Sequence, residues 1–362
     1  MKKHWWKALG VLILLYVLTV GMLTPLHPGI IGVHPRKAQS GAKLEVRING
    51  YNTHFEAASG ELSVWLKPDS TGSYGKTDSS LWIPGLITQV YSDTALSATF
   101  EIPPFLPTNA RIAGFTLIAD SPKDGAALQP SAIRITQDSV NLQAGLKSWL
   151  RDDLKKYLHA DYRFDFPFRS LLYETIRNTY FHVSLWFAMA FLFIYSVVYS
   201  ARYLIRPQAH LDRKANAFTS VGMLYGMLGL ATGALWAKYT WGNYWSWDIK
   251  QTMTAIALLI YGAYFVLRAS FEEPEKKARL AAVYNLFAFA ALIPLIYVIP
   301  RMAQVSLHPG ASGNPALGGE DLDNTMRLVF YPAIIGWTII GIWISKIAYR
   351  IERLQARLDD DE

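Results

Sequence analysis

The chain has 362 residues, of which 51% are hydrophobic and 14% aromatic, and its formal net charge is +7. It contains no cysteine, which excludes thiol–disulfide chemistry, iron–sulfur ligation and covalent haem attachment through a Cys-x-x-Cys-His site. The apolar residues are concentrated in runs that reach or approach the roughly 20 residues needed to cross a membrane. The composition therefore indicates a membrane protein with a soluble segment inserted into it.

Six runs are predicted to span the membrane, at 5–23, 180–200, 217–237, 252–267, 280–299 and 328–348. The first run follows Lys2 and Lys3, as a signal peptide would, but no small-residue cleavage site comes after it. We therefore interpret it as a retained anchor.

The distribution of Lys and Arg predicts the orientation of these spans. Basic residues are concentrated in the N-terminus, in the loops 201–216 and 268–279, and in the tail, which all share one side of a six-span protein. The opposite loops, 238–251 and 301–327, carry only Lys238, Lys250, Arg301 and Arg327. We expect both termini to be cytoplasmic, and this topology accounts for the positive charge without nucleic acid.

Between the first two spans, short apolar runs alternate with polar residues, as in Leu44, Val46 and Ile48 before an Asn-Gly turn. About seven such runs predict a small β sandwich on the outer side. The predicted fold class is an all-α polytopic membrane protein of about six transmembrane helices with an inserted, extracytoplasmic, mostly-β domain.

After the β segment, Leu146, Trp149, Leu150, Leu154 and Leu158 fall at helical spacing. This spacing predicts an amphipathic helix on the membrane surface or against the spans. The predicted domains are the first span at 1–25, the β insert at 26–141, the juxtamembrane helix and linker at 142–175, a five-helix membrane domain at 176–349 and a cytoplasmic tail at 350–362.

An aromatic stretch, YTWGNYWSWDIKQT at 239–252, lies in a loop predicted to be outside. This density of rings is typical either of a membrane-interface belt or of a flat surface for a flat ligand. The aromatic residues alone leave both interpretations open. The candidate platform residues are Trp241, Gly242, Tyr244, Trp245, Trp247 and Asp248.

Six of the eight histidines are predicted to lie on the outer side, and two of these are placed near the membrane face that carries this stretch. His182 lies at the outer end of the second span, and His308 lies in the loop 301–327. Imidazole is a good axial ligand for haem iron, and two imidazoles hold the iron from opposite faces. Hydrogen bonding at the interface is nevertheless the commoner role of a lone histidine at such a boundary.

Charged residues near the outer ends of the spans have two interpretations each. Asp248 borders a span, where a carboxylate is costly unless it has water or a partner, and Lys250 is an obvious partner. Candidates for contacts with haem propionates, with the loop or with lipid phosphates are Arg177, Lys238, Lys250, Arg301 and Arg327.

The segment Trp241-Gly-Asn-Tyr-Trp-Ser-Trp-Asp248 resembles the tryptophan-rich "WWD" signature of the haem-handling membrane proteins of cytochrome c biogenesis. That family includes heme exporter protein C (CcmC) and the cytochrome c synthase subunit CcsA. In it, the signature lies in an outer loop between two histidines that ligate haem. His182 in TYFHV and His308 in SLHPG match those histidines in order, and the resemblance covers most of 176–348.

The resemblance implies a multi-pass protein of the bacterial cytoplasmic (inner) membrane with an extracytoplasmic haem site. Haem b would bind transiently, with its iron held by His182 and His308, and would pass to a periplasmic haem chaperone similar to CcmE. ABC-type membrane components similar to CcmA, CcmB and CcmD are the implied partners. The implied role is delivery of haem, with no catalytic residue.

Some residues of the motif leave the subfamily open. Six spans and the Trp-Asp-x-basic-x-Thr ending favour a CcmC-like protein, whereas Lys250 replaces the arginine expected there and the Trp-Gly-x-Tyr-Trp wording is closer to CcsA. The β insert is also a departure from ordinary CcmC proteins. One alternative is thus a CcsA-like subunit of a synthase that attaches haem to apocytochrome c. The other is a structural or transport protein whose aromatic residues form only an interface belt.

Overall fold

The computed structural model describes residues 4–69, 71–72, 75–76, 80–160, 163–308 and 322–361. The chain forms two compact units, which we call the helical unit (Met1–Thr24 and Glu174–Glu362) and the β unit (Pro25–Tyr173). The α-helices are α1 (Trp5–Leu23), α2 (Leu142–Ser148), α3 (His182–Ile205), α4 (Ala209–Trp241), α5 (Ile249–Ala269), α6 (Pro274–Ile293), α7 (Ile299–Met302) and α8 (Asn324–Asp361).

Six helical segments among the described residues are long and apolar enough to cross a membrane. They are Trp5–Leu23, Tyr173–Ile205, Ala209–Trp241, Ile249–Ala269, Pro274–Met302 and Asn324–Leu358. Each contains one of the predicted spans, so the six apolar helices are confirmed. Most extend past the apolar run, because the helical hydrogen bonding continues into the polar residues that flank it.

The predicted fold class, an all-α membrane protein with an inserted mostly-β domain, is wrong as a class, because the described part of the β unit contains a nine-stranded sheet. Its strands are β1 (Gly29–His34), β2 (Lys37–Gln39), β3 (Lys43–Tyr51), β4 (Ser63–Pro68), β7 (Leu81–Ser92), β8 (Ala95–Glu101), β9 (Ile112–Ser121), β10 (Gly125–Thr136) and β11 (Leu150–Arg151). The strands β5 (Thr71–Gly72) and β6 (Gly75–Lys76) pair with each other in a separate two-stranded sheet. A sheet of this size is a second class of structure beside the helices, so the chain is an α-and-β protein.

The strand order is β1-β3-β8-β7-β4-β9-β10-β2, with β11 added beside β7. Neighbours are antiparallel except for the parallel pair β10–β2. β1 also contacts β10, near the other end of this order, so the sheet curls around its large apolar cluster. The predicted sandwich of two sheets is therefore wrong, although the alternation in β3 does bury Leu44, Val46 and Ile48.

The amphipathic helix predicted across 146–158 is also wrong. Helix α2 ends at Ser148, the strand β11 follows, and Leu154–Lys156 forms a short 3-10 turn. Trp149 is only 3% exposed, stacks on Phe115 and donates a hydrogen bond to the carbonyl of Phe105 at 3.2 Å. Trp149 and Leu154 of the apparent helical stripe therefore belong to the apolar clusters of the β unit, whereas Leu150 is 49% exposed.

Candidate functional site

The first candidate ligand, His182, is the first residue of α3. Its Nδ1 lies 2.9 Å from the carbonyl oxygen of Gly229 in α4 and 3.3 Å from Thr232 Oγ1. Because a carbonyl can only accept, Nδ1 carries the proton and donates it. The lone pair of His182 is therefore on Nε2, the nitrogen that binds metals when Nδ1 donates.

Two tryptophans that the sequence analysis did not single out flank this imidazole. Trp186, one turn further along α3, meets it edge-on with ring centroids 6.1 Å apart, and Trp236 of α4 does so at 5.7 Å. Trp236 is itself fixed by a hydrogen bond from its Nε1 to Thr175 Oγ1 at 3.1 Å. The ring of His182 thus lies in an aromatic enclosure with a defined orientation.

Glycines of α4 make room for the side chains of α3. A Cβ built on each would lie within 3.0 Å of an α3 side chain, in the pairs Gly222–Phe193, Gly226–Met189, Gly229–Trp186 and Gly233–His182. The pairs advance in opposite directions along two antiparallel helices, as small residues permit at close helix contacts in membranes. At Gly233 the added Cβ would be 2.5 Å from Cε1 of His182, so this glycine sets the position of the ring.

Asp248 is the N-cap of α5 and is only 9% exposed. Its Oδ1 accepts the backbone N–H of Lys250 at 2.9 Å. Its Oδ2 accepts the hydroxyl of Ser306 at 2.9 Å and the backbone N–H of Leu307 at 2.8 Å. Burial by itself would raise the pKa of Asp248, but these hydrogen bonds outweigh it and hold the pKa below the usual value. The carboxylate is therefore ionised at neutral pH.

The second candidate ligand, His308, is held by this carboxylate. Its Nδ1 lies 2.7 Å from Asp248 Oδ1, and since the ionised carboxylate accepts, Nδ1 donates and Nε2 keeps the lone pair. Burial lowers the pKa of His308, and the neighbouring Asp248 offsets this only in part, so the ring is neutral near pH 7. The ring packs on Trp241 with centroids 4.7 Å apart.

The two histidines come close enough for their charges to interact, and Lys250 interacts electrostatically with both. The first turns of α3 and α5 and the segment ending at His308 thus converge in the helical unit. Among the described residues, no group of three or more His, Asp or Glu could hold a metal ion. What the site offers is two separately oriented imidazoles, each with Nε2 as its unprotonated nitrogen.

Hydrogen bonds and a cation–π contact hold the aromatic loop between α4 and α5 in place. Gly242 ends α4 in the left-handed region, with φ +89°, and its carbonyl accepts the ammonium of Lys238 at 2.9 Å. Lys238 also lies over the ring of Tyr244, 5.6 Å from its centroid. Gln251, which is 8% exposed, accepts the backbone N–H of Ser246 at 2.9 Å. The loop is therefore anchored at both ends.

Within the loop the three tryptophans differ in environment. Trp241 is half-buried against His308, whereas Trp247 is 78% exposed and has the strained φ of +57°. Trp245 packs edge-on against Trp247 at 5.8 Å. Its Nε1 is buried and meets no acceptor in the described structure. An exposed indole face and an unpartnered buried N–H are features that a flat ligand with polar edges can use.

The candidate cations have different surroundings. Arg177 is 8% exposed and donates from Nη1 to the carbonyls of Gly21 and Thr24, at 2.9 and 2.7 Å, so it caps the C-terminus of α1. Arg327 is half-buried and donates to Asn324 at 2.9 Å, whereas Arg301 is exposed on α7. Arg177 and Lys238 thus stabilise helix ends, a role that the sequence analysis did not give them.

This fold and site define a polytopic membrane protein with two oriented imidazoles beside a tryptophan-rich loop. Residues 169–362 match the family of heme exporter protein C, CcmC. The match covers more than half of the chain, and the chain belongs to this family. The matched region begins at residue 169, so most of the β unit lies outside it.

Among the proteins similar to this chain, some are named heme exporter protein C and others CcsA. Heme exporter protein C of Bradyrhizobium diazoefficiens is 29% identical over 185 residues, which are 51% of this chain and 69% of that protein. Heme exporter protein C of Haemophilus influenzae is 27% identical over 196 residues, 54% of this chain and 75% of that protein. The cytochrome c biogenesis protein CcsA of Synechococcus sp. strain CC9902 is 34% identical over 104 residues, 29% of this chain and 33% of that protein.

Proposed function

We propose that the helical unit binds haem at the outer face of the cytoplasmic membrane and hands it on during cytochrome c maturation. His182 and His308 are the axial ligands of the iron through Nε2. The ring of haem b lies against a platform made by Trp241, Gly242, Tyr244, Trp245 and Trp247, which Asp248 supports from behind His308. Membership of the heme exporter protein C family supports the haem-handling role.

One observation carries the ligand assignment. Both imidazoles have Nδ1 committed to an acceptor, Gly229 O for His182 and the Asp248 carboxylate for His308, and the two residues interact electrostatically. Hydrogen bonds of this kind fix the tautomer and orientation of metal-ligating histidines. Interface histidines that served only as anchors would not need this shared arrangement.

The remaining groups orient the macrocycle. Lys250 interacts electrostatically with both imidazoles and is therefore the cation best placed for a propionate, with the exposed Arg301 as a second candidate. The buried N–H of Trp245 lacks an acceptor among the described residues and is a donor for an edge of the ligand. Asp248 acts on haem through His308.

Haem bound in this way is a cargo that must leave. The proposed acceptor is a periplasmic haem chaperone similar to CcmE, and the proposed membrane partners are ABC-type components similar to CcmA, CcmB and CcmD. The names of the relatives from Bradyrhizobium diazoefficiens and Haemophilus influenzae support an exporter-type role. The cytoplasmic position of both termini, indicated by the basic loops, belongs to the same proposal.

A second candidate function is that of a CcsA-like subunit in a synthase that attaches haem to apocytochrome c. The 34% identity to CcsA over 104 residues favours it. Incubation of the haem-loaded protein with apocytochrome c or with a haem chaperone separates the two functions. Covalent cytochrome c formed without other subunits of the exporter type would favour the synthase.

The absorption spectrum of the protein purified from haem-replete cells tests the ligand assignment. We expect a Soret band in the wild type and its loss in the variant with both His182→Ala and His308→Ala. The matched control is His210→Ala, an exposed histidine at the start of α4, which leaves the band unchanged. A band that survives the double substitution, or the absence of any band in the wild type, overturns the proposal.

A further inference from the structure

A small cavity lies in the helical unit between the first turns of α1 and the second half of α8. Its volume is about 140 Å³, and its lining includes His4, Trp6, Lys7, Trp343, Lys346 and Arg350. Residue 343 lies 19 residues beyond the start of α8 at Asn324, or ~30 Å at the α-helical rise. His308 and Asp248 do not line this cavity, so it is separate from the candidate haem site.

The lining carries positive charge that no lining carboxylate offsets. Lys7, Lys346 and Arg350 are cationic at neutral pH, and the described lining includes no Asp or Glu. Lys7 is half-buried, so part of its hydration is lost. Like charges held around one concave surface repel each other, and an anion placed between them relieves that repulsion.

The two ammonium groups are held in place by indole rings. Nζ of Lys7 lies 5.0 Å from the ring centroid of Trp343 and 5.9 Å from that of Trp6. Nζ of Lys346 lies 4.4 Å from the ring centroid of Trp6. Cation–π contacts order an ammonium group without neutralising its charge. The indole rings therefore orient two of the three cations at the cavity toward an anionic group.

The neighbouring surface is apolar and faces outward. α1 exposes large apolar side chains over the turns that follow the cavity, including Leu12 at 62% and Leu15 at 51%. Paired tryptophans and lysines at the end of an apolar span are typical of the headgroup depth of a bilayer. A ligand with a negative headgroup and apolar chains matches both surfaces at once.

We propose that this cavity binds the phosphate headgroup of an anionic phospholipid. The phosphate lies among Lys7, Lys346 and Arg350, and the acyl chains run along the exposed face of α1. Basic pockets between membrane helices bind lipid headgroups by this combination of charge and shape. Inorganic phosphate satisfies the same cations but gains nothing from the apolar face, so the lipid is the occupant.

The test uses the full chain in detergent, titrated with phosphatidylglycerol or phosphatidylcholine and followed by native mass spectrometry. We expect retained phosphatidylglycerol and roughly thirtyfold weaker binding in the double variant Lys7→Gln, Arg350→Gln. The matched control is Arg353→Gln, Arg357→Gln, which removes the same charge from exposed positions further along α8. Helical content by circular dichroism checks that each variant is folded.

Three results overturn the proposal. One is equal weakening by the control pair, which would mean attraction by net charge alone. Another is equal binding of phosphatidylcholine. The third is displacement of the lipid by millimolar inorganic phosphate, which would make a soluble anion the occupant. If the double variant does not fold, Trp6→Leu replaces it, because it removes the ring that orders both ammonium groups and keeps all the charges.

Discussion

Oδ1 of Asp248 lies 2.7 Å from Nδ1 of His308, a residue 60 positions further along the chain. The same carboxylate accepts the backbone N–H groups of Lys250 and Leu307, so it caps α5 and fixes the segment that carries His308. The sequence had suggested either contact with haem or pairing with Lys250. In the structure, the carboxylate of Asp248 accepts both the backbone N–H of Lys250 and the imidazole N–H of His308. Asp248 is therefore a positioning residue.

Replacing Asp248 by asparagine should weaken haem binding while leaving the fold intact. The amide oxygen can still accept from Nδ1, but the NH2 group that replaces Oδ2 cannot accept the backbone N–H of Leu307, and the negative charge beside the proposed ligand is lost. Changing the group that accepts the N–H of a metal-ligating histidine typically costs 10–100-fold in metal affinity. The measurement is a haem titration by absorbance, in which Asp248→Ala should lose more than Asp248→Asn.

The control for this series is Asp152→Asn, which changes a carboxylate of the β unit. Equal haem affinity in Asp248→Ala and the wild type would show that the hydrogen bond to His308 has no role in ligation.

Haem affinity should be constant from pH 7 to 8 and fall on acidification. Burial places the pKa of His308 below its ordinary value of about 6.5, so Nε2 stays unprotonated at neutral pH and is lost as a ligand only when protonated. Asp248 raises this pKa in opposition to burial. Asp248→Asn should therefore bind haem more weakly at neutral pH. The pH below which haem binding is lost, which we call the acid limit, should be lower in this variant than in the wild type. An acid limit that shifts upward in this variant would contradict the assignment.

Gly233→Ala should disturb ligation by His182 without unfolding the protein. The new Cβ would lie 2.5 Å from Cε1 of His182 and must displace the ring, whereas alanine in a helix interior is otherwise favourable by roughly 0.5–1 kcal/mol over glycine. The readout is the position and height of the Soret band. Gly262→Ala is the matched control, because a Cβ there meets nothing within 4 Å. Identical spectra for the two variants would remove Gly233 from the site.

Arg177→Gln should lower thermal stability and leave the haem spectrum of the folded protein unchanged. The guanidinium holds two carbonyls at the C-terminus of α1, and leaving buried acceptors unsatisfied costs about 1–3 kcal/mol each. Differential scanning fluorimetry gives the stability, and haem per folded protein gives the occupancy. A propionate-binding arginine would show the reverse, with haem lost at an unchanged melting temperature.

The six apolar helices could be predicted because crossing a membrane imposes length and composition on a local run of sequence. The alternation of Leu44, Val46 and Ile48 likewise identified β3, since a half-buried strand has its own period. The helix expected across 146–158 failed because Trp149 and Leu154 pack against residues far away in the sequence, such as Phe115. Local spacing cannot distinguish a helical stripe from scattered core contacts.

The individual residues of the candidate site could be predicted from the sequence, but their arrangement could not. Charge-derived topology placed His182, the aromatic loop and His308 on one face, but it contained no information about distances or partners. The pairing of Asp248 with His308 and the contact of Gly233 with His182 arise from tertiary packing. A weak signal was present, however, because glycines at positions 226, 229 and 233 of one apolar span are typical of close helix contact.

Electron paramagnetic resonance of the ferric haem complex tests the central claim most directly, because it reports the number and kind of axial ligands. The account predicts a low-spin, six-coordinate signal of the bis-imidazole type in the wild type. His182→Ala and His308→Ala should each convert it to a high-spin, five-coordinate signal. A high-spin wild type, or a low-spin signal that persists in either variant without added imidazole, would contradict the account.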